Sequence, residues 1–171
     1  MHTYHPSFIA LFSTNMGYRT GERILVFSDL IRSNESISED DRDRRTRLHA
    51  TAQELANFAG QQYGNASFVD FPATPASGAE PPLALWSAVF GDTIIEQLET
   101  TGLMGPLLEK SIDPIGLERA RSIVTAAKDA VADIIIHLTQ IHNYKHFNIQ
   151  HFHLINHSIN NLTTLIQAPL S

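Results

Sequence analysis

The stretch RILVFSD, residues 23–29, decides the fold class. It is a short apolar run that closes on Asp29 and follows Gly17 and Gly21, which is the pattern of a buried β-strand. The segment ASFVDF, residues 66–71, predicts a second strand. A third run, ADIIIHL at residues 132–138, is almost uninterrupted in its apolar character, as strands covered on both faces of a parallel sheet are.

The segments between these strands have helical patterns. Ser38, with Asp41 at the capping-box offset, predicts a helix start, and apolar residues then recur at helical spacing until Gly64. Residues 83–98 predict a helix, or a helix pair broken at Gly91, and Asp113-Pro114 is a typical helix start. Alternation of strands and helices with right-handed crossovers predicts an α/β fold, a three-layer parallel sheet with flanking helices.

Length and composition predict one globular unit. The chain has 171 residues, of which 43% are hydrophobic, enough for one domain with a core. A net charge of -6 argues against a nucleic-acid partner. No apolar run approaches the roughly 18 residues of a membrane span, so we expect no membrane partner and a cytoplasmic location. With no cysteine, any metal would need His, Asp or Glu ligands.

The composition changes abruptly after Ile136. All 18 Asp and Glu residues precede His137, whereas six of the nine histidines lie from His137 onward. We therefore divide the chain into an α/β domain, residues 4–136, and a His/Asn-rich tail of foreign composition, residues 137–171, expected to be helical or disordered. The interpretation that we favour for the tail is foreign read-through joined to an incomplete domain.

The tail contains HNYKHFNIQHFHLINH, residues 142–157, and two other interpretations apply to it. On a helix, His142, His146, His153 and His157 share one face, and histidines four residues apart can chelate zinc. However, no carboxylate lies within this segment to orient the imidazoles. The alternative is an amphipathic or disordered segment whose histidines face water.

Other candidate residues lie within residues 4–136. Asp29 and Asp70 end two predicted parallel strands, so both carboxylates could face one ligand crevice there, although Asp at a strand end is more often a turn or capping residue. The Pro-rich segment 72–82 is the best loop candidate for function. No dinucleotide, P-loop, serine-hydrolase or zincin motif is present.

The remaining side chains have structural interpretations. Trp86 and Phe90 are in phase with an apolar stripe and are expected in the core. His49 is expected to be a partly exposed surface histidine, and His2 and His5 to lie in a mobile terminus. A basic cluster, Arg42, Arg44, Arg45 and Arg47, is interleaved with acidic residues and indicates a solvated helix start.

Three segments carry a family resemblance over about residues 4–136. They are NMGYRTGERILVFSDLIR, RLHATAQELANFAGQQYGNASFVDFPATPASGAEPP and AKDAVADIII. In their order along the chain and in their residue types, these segments resemble the N-terminal α/β domain of the thermophilic-type metalloaminopeptidases, the aminopeptidase T (leucyl aminopeptidase) family. The resemblance implies hydrolysis of N-terminal residues from peptides, a centre of two divalent, zinc-type metal ions that activates water, and a homo-oligomer.

The same resemblance places the metal ligands in a C-terminal half that would follow these residues. No catalytic, cofactor-binding or metal-binding residue is therefore assigned to this chain, and no cofactor is expected for it. After ADIII the family continues its sheet domain, whereas here HLTQIHNYKHF begins. We expect an inactive N-terminal fragment with an unpaired sheet edge. The alternative is a non-enzymatic α/β module with a histidine-rich, metal-binding tail.

Zinc titration by calorimetry distinguishes these two hypotheses. For the fragment we expect weak, heterogeneous binding that is unchanged by His142→Ala and His146→Ala, because the tail lacks the carboxylates that fix zinc-bound imidazoles. Stoichiometric binding that is lost in both variants would instead support the metal-binding tail.

Overall fold

The centre of the fold is a sheet of four parallel strands in the order β2-β1-β3-β4. The strands are β1 (Ile24–Leu30), β2 (Ala66–Pro72), β3 (Ile134–Leu138) and β4 (Ile166–Gln167). This computed structural model describes residues 4–74 and 80–138, with the backbone of 166–167. The parallel sheet with flanking helices confirms the α/β fold.

The chain divides into two compact units. One contains residues 1–73, 132–139 and 164–171, and the other contains residues 74–131 and 140–163. The predicted boundary after residue 136 falls within β3, and β4 lies in the segment predicted as a tail. The rest of that tail, including the histidines at 142, 146, 153 and 157, lies outside the described residues.

In the first unit, helices cover one face of the sheet. Helix α1 (His5–Ala10) continues into a π-helical turn (Leu11–Asn15), and α2 spans Glu39–Tyr63. The shared core joins apolar residues of α1, the turn, α2, β1 and β3: Phe8, Phe12, Ile24, Val26, Ala52, Leu55, Phe58, Ala59, Ile134 and Ile136. Strand residues of this set alternate in sequence, because every second side chain of a strand points to the same face.

Both ends of α2 follow from local chemistry, as predicted. The hydroxyl of Ser38 accepts a hydrogen bond from the backbone N–H of Asp41 at 3.2 Å, which satisfies a donor at the helix start. Gly64 ends the helix at φ 83°, the left-handed conformation that side chains with a Cβ adopt at a cost.

The second unit is helical in the residues described. It contains α3 (Leu83–Phe90), α4 (Asp92–Thr100), α5 (Met104–Leu108), α6 (Pro114–Ala126) and a 3₁₀ turn (Lys128–Ala130). Of the two predicted alternatives, the helix pair broken at Gly91 is confirmed, since α3 ends before this residue and α4 begins after it. The predicted helix start at Asp113 is confirmed as well, since its carboxylate accepts a hydrogen bond from the N–H of Gly116 in α6. Trp86 and Phe90 are fully buried, as expected.

The N-terminus differs from expectation. His5 is the first residue of α1, and its ring packs against that of Phe58 in α2, with the ring centroids 5.0 Å apart. His2 lies outside the described residues. Pattern reasoning missed α1 and α5 because six and five residues are too few to show a helical period.

The same substitution should have opposite effects on stability at Gly60, inside α2, and at Gly64, just after its end. Gly64→Ala should lower the free energy of unfolding by about 1 kcal/mol, because alanine is strained at positive φ. Gly60→Ala should raise it by a similar amount, since Gly60 is inside the helix and an added Cβ meets nothing within 4 Å. Urea unfolding followed by circular dichroism measures both, and equal shifts of one sign would contradict this account.

Candidate functional site

The carboxyl edge of the sheet is the place where a parallel α/β fold binds ligands. The chain leaves β1 for β2 on one side and later adds β3 on the other side of β1, so the strand order reverses between β1 and β3. Ligands of such sheets bind beyond the carboxyl ends of the strands at this reversal. Asp29 and His137 stand near this edge, each buried, and the Ser28 hydroxyl donates to the Leu138 carbonyl at 2.7 Å.

A buried guanidinium occupies the end of β1. Arg45 of α2 is 3% exposed, and its Nη2 lies 3.4 Å from Oδ2 of Asp29. Its Nη1 donates to Oε1 of Glu35 at 2.6 Å. Because one guanidinium meets two carboxylates, the first helical turns of α2 are tied both to β1 and to the loop that follows it.

Glu35 closes the loop that follows β1. Its Oε2 accepts from the backbone N–H of Arg32 at 3.3 Å, and the Nε of Arg32 is 3.7 Å away. Burial alone would raise the pKa of Glu35. The Arg45 and Arg32 hydrogen bonds and charges outweigh it, so the pKa is lowered and the carboxylate stays ionised. The charges of Arg32 and Arg45 therefore help to hold the loop in place.

The structure gives Asp29 and Asp70 separate partners. In the strand register Asp29 stands opposite Phe71 and Asp70 opposite Ser28, so the two are not paired. Oδ2 of Asp70 lies 3.0 Å from Nε2 of His49, whose ring also meets Phe68 edge-on. His49 is partly exposed, as predicted. The pair joins α2 to β2, whereas Asp29 is neutralised by Arg45.

His137 is a buried base at the end of β3. Its ring stacks on Phe27 of β1, with centroids 5.5 Å apart and an interplanar angle of 15°. Burial disfavours the imidazolium and lowers the pKa of His137 to about 4. It is therefore neutral at pH 7. The composition change had placed this residue in the tail, but the strand continues through it.

Two residues of this edge were missed or misjudged from the sequence. Arg45 was grouped with a solvated helix start, which is wrong because its side chain is 2% exposed. Its position carried a signal: it lies three residues before Leu48 and seven before Ala52, in phase with the buried stripe of α2. Glu35 had no such signal, since its partner is ten residues away in sequence.

The Pro-rich segment 72–82 is described at its ends only, because residues 75–79 lie outside the described residues. Near the C-terminal end of this segment, the carboxylate of Glu80 is 2% exposed and lies 3.5 Å from Nζ of Lys110. Burial raises the pKa of Glu80, and the nearby Lys110 ammonium opposes that rise. This pair ties the segment to α5's end within the second unit.

Comparisons with known proteins give no relative: no family model, curated protein or solved structure matches the chain. Among residues 4–74 and 80–138, no three His, Asp or Glu side chains are grouped so as to hold a metal ion. In the same part of the chain, no helix combines the length and the apolar character needed to cross a bilayer.

Removing the buried guanidinium should destabilise the protein strongly. Arg45→Met should cost about 3–5 kcal/mol of unfolding free energy, because the carboxylates of Asp29 and Glu35 would lose the buried guanidinium that lies between them. Arg44→Met is the matched control, since Arg44 pairs with Asp41 on a part-exposed surface and should cost at most about 1 kcal/mol. Urea unfolding compares them; equal losses would show that the Arg45 pairs contribute no more than a surface pair.

His137 should make stability depend on pH. Its pKa falls from 6.5 to about 4 on folding, so below pH 6.5 the unfolded chain binds a proton that the folded protein does not. Stability should therefore fall as the pH drops from 6.5 to about 4, by about 3 kcal/mol in all. His137→Phe is the control that removes this titration while keeping an aromatic ring on Phe27. If both proteins show the same pH dependence, His137 is not the titrating group.

Proposed function

We propose that residues 4–136 are the N-terminal α/β domain of a metal-dependent aminopeptidase of the thermophilic type, and that this chain is inactive by itself. The single observation that supports a structural rather than a catalytic role for this domain is the cluster of Arg45 with Asp29 and Glu35. The carboxylate of Asp29, at the end of β1, forms an ion pair with the guanidinium of Arg45, which also contacts Glu35. A carboxylate neutralised in this way holds the sheet edge together.

The segments that resemble the family support the same role. The Gly-Glu-Arg entry of β1 meets the start of ADIII, since the N–H of Arg23 donates to Oδ2 of Asp133 at 2.8 Å. The Arg23 carbonyl accepts from the N–H groups of Asp133 and Ile134, both at 3.0 Å. These contacts align β1 with β3. Residues of the resembling segments thus set strand register, which is a scaffold function.

The proposed reaction of the whole enzyme is the hydrolysis of N-terminal residues from peptides. A C-terminal half outside residues 4–136 would provide the ligands of two zinc-type ions, and the whole enzyme would be a cytoplasmic homo-oligomer that acts on peptides. The two metals would polarise the scissile carbonyl and lower the pKa of the attacking water.

An activity assay tests the inactivity of this chain. The purified chain is dialysed against zinc, cobalt or manganese and incubated with leucine 4-nitroanilide. We expect no release of nitroaniline above the protein-free blank, because the proposal places every metal ligand outside residues 4–136. Release that EDTA abolishes would overturn this part of the proposal.

Sequencing tests the aminopeptidase origin separately. The coding DNA is read from about codon 130, where the composition changes, to well past the stop, and translated in three frames; intact mass confirms the expressed product. We expect another frame to resume a charged, glycine-containing α/β sequence with Glu and His ligands. A sound frame, a matching mass and no such sequence would refute the aminopeptidase origin.

A further inference from the structure

The outer edge of β2 is an uncovered edge of the sheet in the first unit. In the strand order β2-β1-β3-β4, the described residues give β2 a strand partner on one side only. Phe71 is the one buried residue of β2, whereas six of the seven residues of β1 are buried. Neither the Arg45 cluster nor the proposed aminopeptidase role uses this edge.

Two hydrogen bonds show which backbone groups of β2 point outward. The carbonyl of Asn65 accepts from Ile24, and the N–H of Ala73 donates to Leu30, at 2.8 and 2.9 Å. Backbone groups alternate between the two sides of a strand, so odd-numbered residues face β1. The outward groups belong to the even-numbered residues: Ala66, Phe68, Asp70 and Pro72. Within the part of the chain that the structure describes, nothing bonds to them.

The sequence of β2 is complementary to itself in one antiparallel register. A two-fold axis at Phe68 places this residue opposite Phe68 of a second copy, and places Ala66 opposite Asp70 in both directions. Each of these three pairs can exchange two backbone hydrogen bonds. Pro72, which has no N–H to donate, then lies opposite Gly64 of the second copy, beyond the strand.

Charge and proline disfavour the neighbouring registers. An axis at Asp70 would place two carboxylates directly opposite each other, and an axis at Val69 would pair Ala66 with Pro72, which lacks the donor. An axis at Ser67 would leave Asp70 opposite a residue outside the strand. With the axis at Phe68, the two Asp70 residues are four positions apart, roughly 13 Å along the strand and beyond the Debye length at physiological salt.

The side chains are compatible with the same register. Phe68 is half-buried and would meet Phe68 of the second copy on the face that carries α2, as a cross-strand aromatic pair. On the other face, the half-buried Val69 would lie beside the exposed Ser67 of the second copy. Pairing therefore covers apolar surface and leaves no like charges opposite each other.

We propose that the chain forms a two-fold dimer through β2, in the antiparallel register centred on Phe68. This inference is independent of the proposed aminopeptidase role, because it depends on the geometry of β2 alone.

Sedimentation equilibrium of the full chain tests whether the dimer exists. We expect a reversible monomer–dimer equilibrium with a Kd on the order of 10 µM, because a single strand pair buries less area than a standard interface. A chain that stays monomeric up to about 200 µM would overturn the proposal.

Introduced cysteines test the register, because the chain has no cysteine of its own. In the proposed dimer, Ser67 lies opposite Val69 of the second copy, as a non-hydrogen-bonded pair with Cα atoms about 4.5 Å apart, within the range of a disulfide. A mixture of Ser67→Cys and Val69→Cys chains, oxidised with copper phenanthroline, should therefore form a mixed disulfide-linked dimer. Intact mass identifies it, and circular dichroism confirms that both variants fold.

Each variant alone is the matched control. Two copies of Ser67→Cys, or two of Val69→Cys, place their cysteines at diagonal positions roughly 7–8 Å apart, too far for a disulfide without backbone movement. Each should give at least about fivefold less linked dimer than the mixture. Equal linking of one variant alone would show a different register, and no linking in the mixture would show a different interface. Either result would overturn the proposal.

Discussion

The structure of the first unit depends on one ion-pair cluster, the guanidinium of Arg45 between the carboxylates of Asp29 and Glu35. Asp29 is at the end of β1, Glu35 is in the loop that follows, and Arg45 is in the second turn of α2. A single buried cation thus joins three consecutive parts of the β1–loop–α2 crossover. Because a buried charge without a partner is costly, each member constrains the other two. This cluster thus fixes the position of the loop relative to both β1 and α2.

The rest of the first unit is arranged around this crossover. Apolar side chains of α1 and α2 cover the face of the sheet that carries Ile24, Val26, Ile134 and Ile136. The His49–Asp70 pair then joins α2 to β2, and the hydrogen bonds between Arg23 and Asp133 align β1 with β3 at the opposite end of the strands. Apolar burial supplies the general driving force, whereas these polar contacts decide register and position.

The polar contacts also bear on function. At the carboxyl edge, the side chains of Asp29, Glu35 and Arg45 are bonded to one another, and this is the basis for the scaffold role that we propose.

The sequence by itself determined the elements whose causes are local. Apolar runs predicted three strands, Ser38 and Gly64 predicted the ends of α2, and Gly91 and Asp113 predicted a break and a start among the helices, because caps and periodicity act within a few residues. Only the tertiary structure decided which charges meet. Arg45 was misjudged, and Glu35 and the stacking of His137 on Phe27 were not foreseen, since these contacts join residues 10 to 110 positions apart. Their energies depend on burial, and burial is a property of the folded chain.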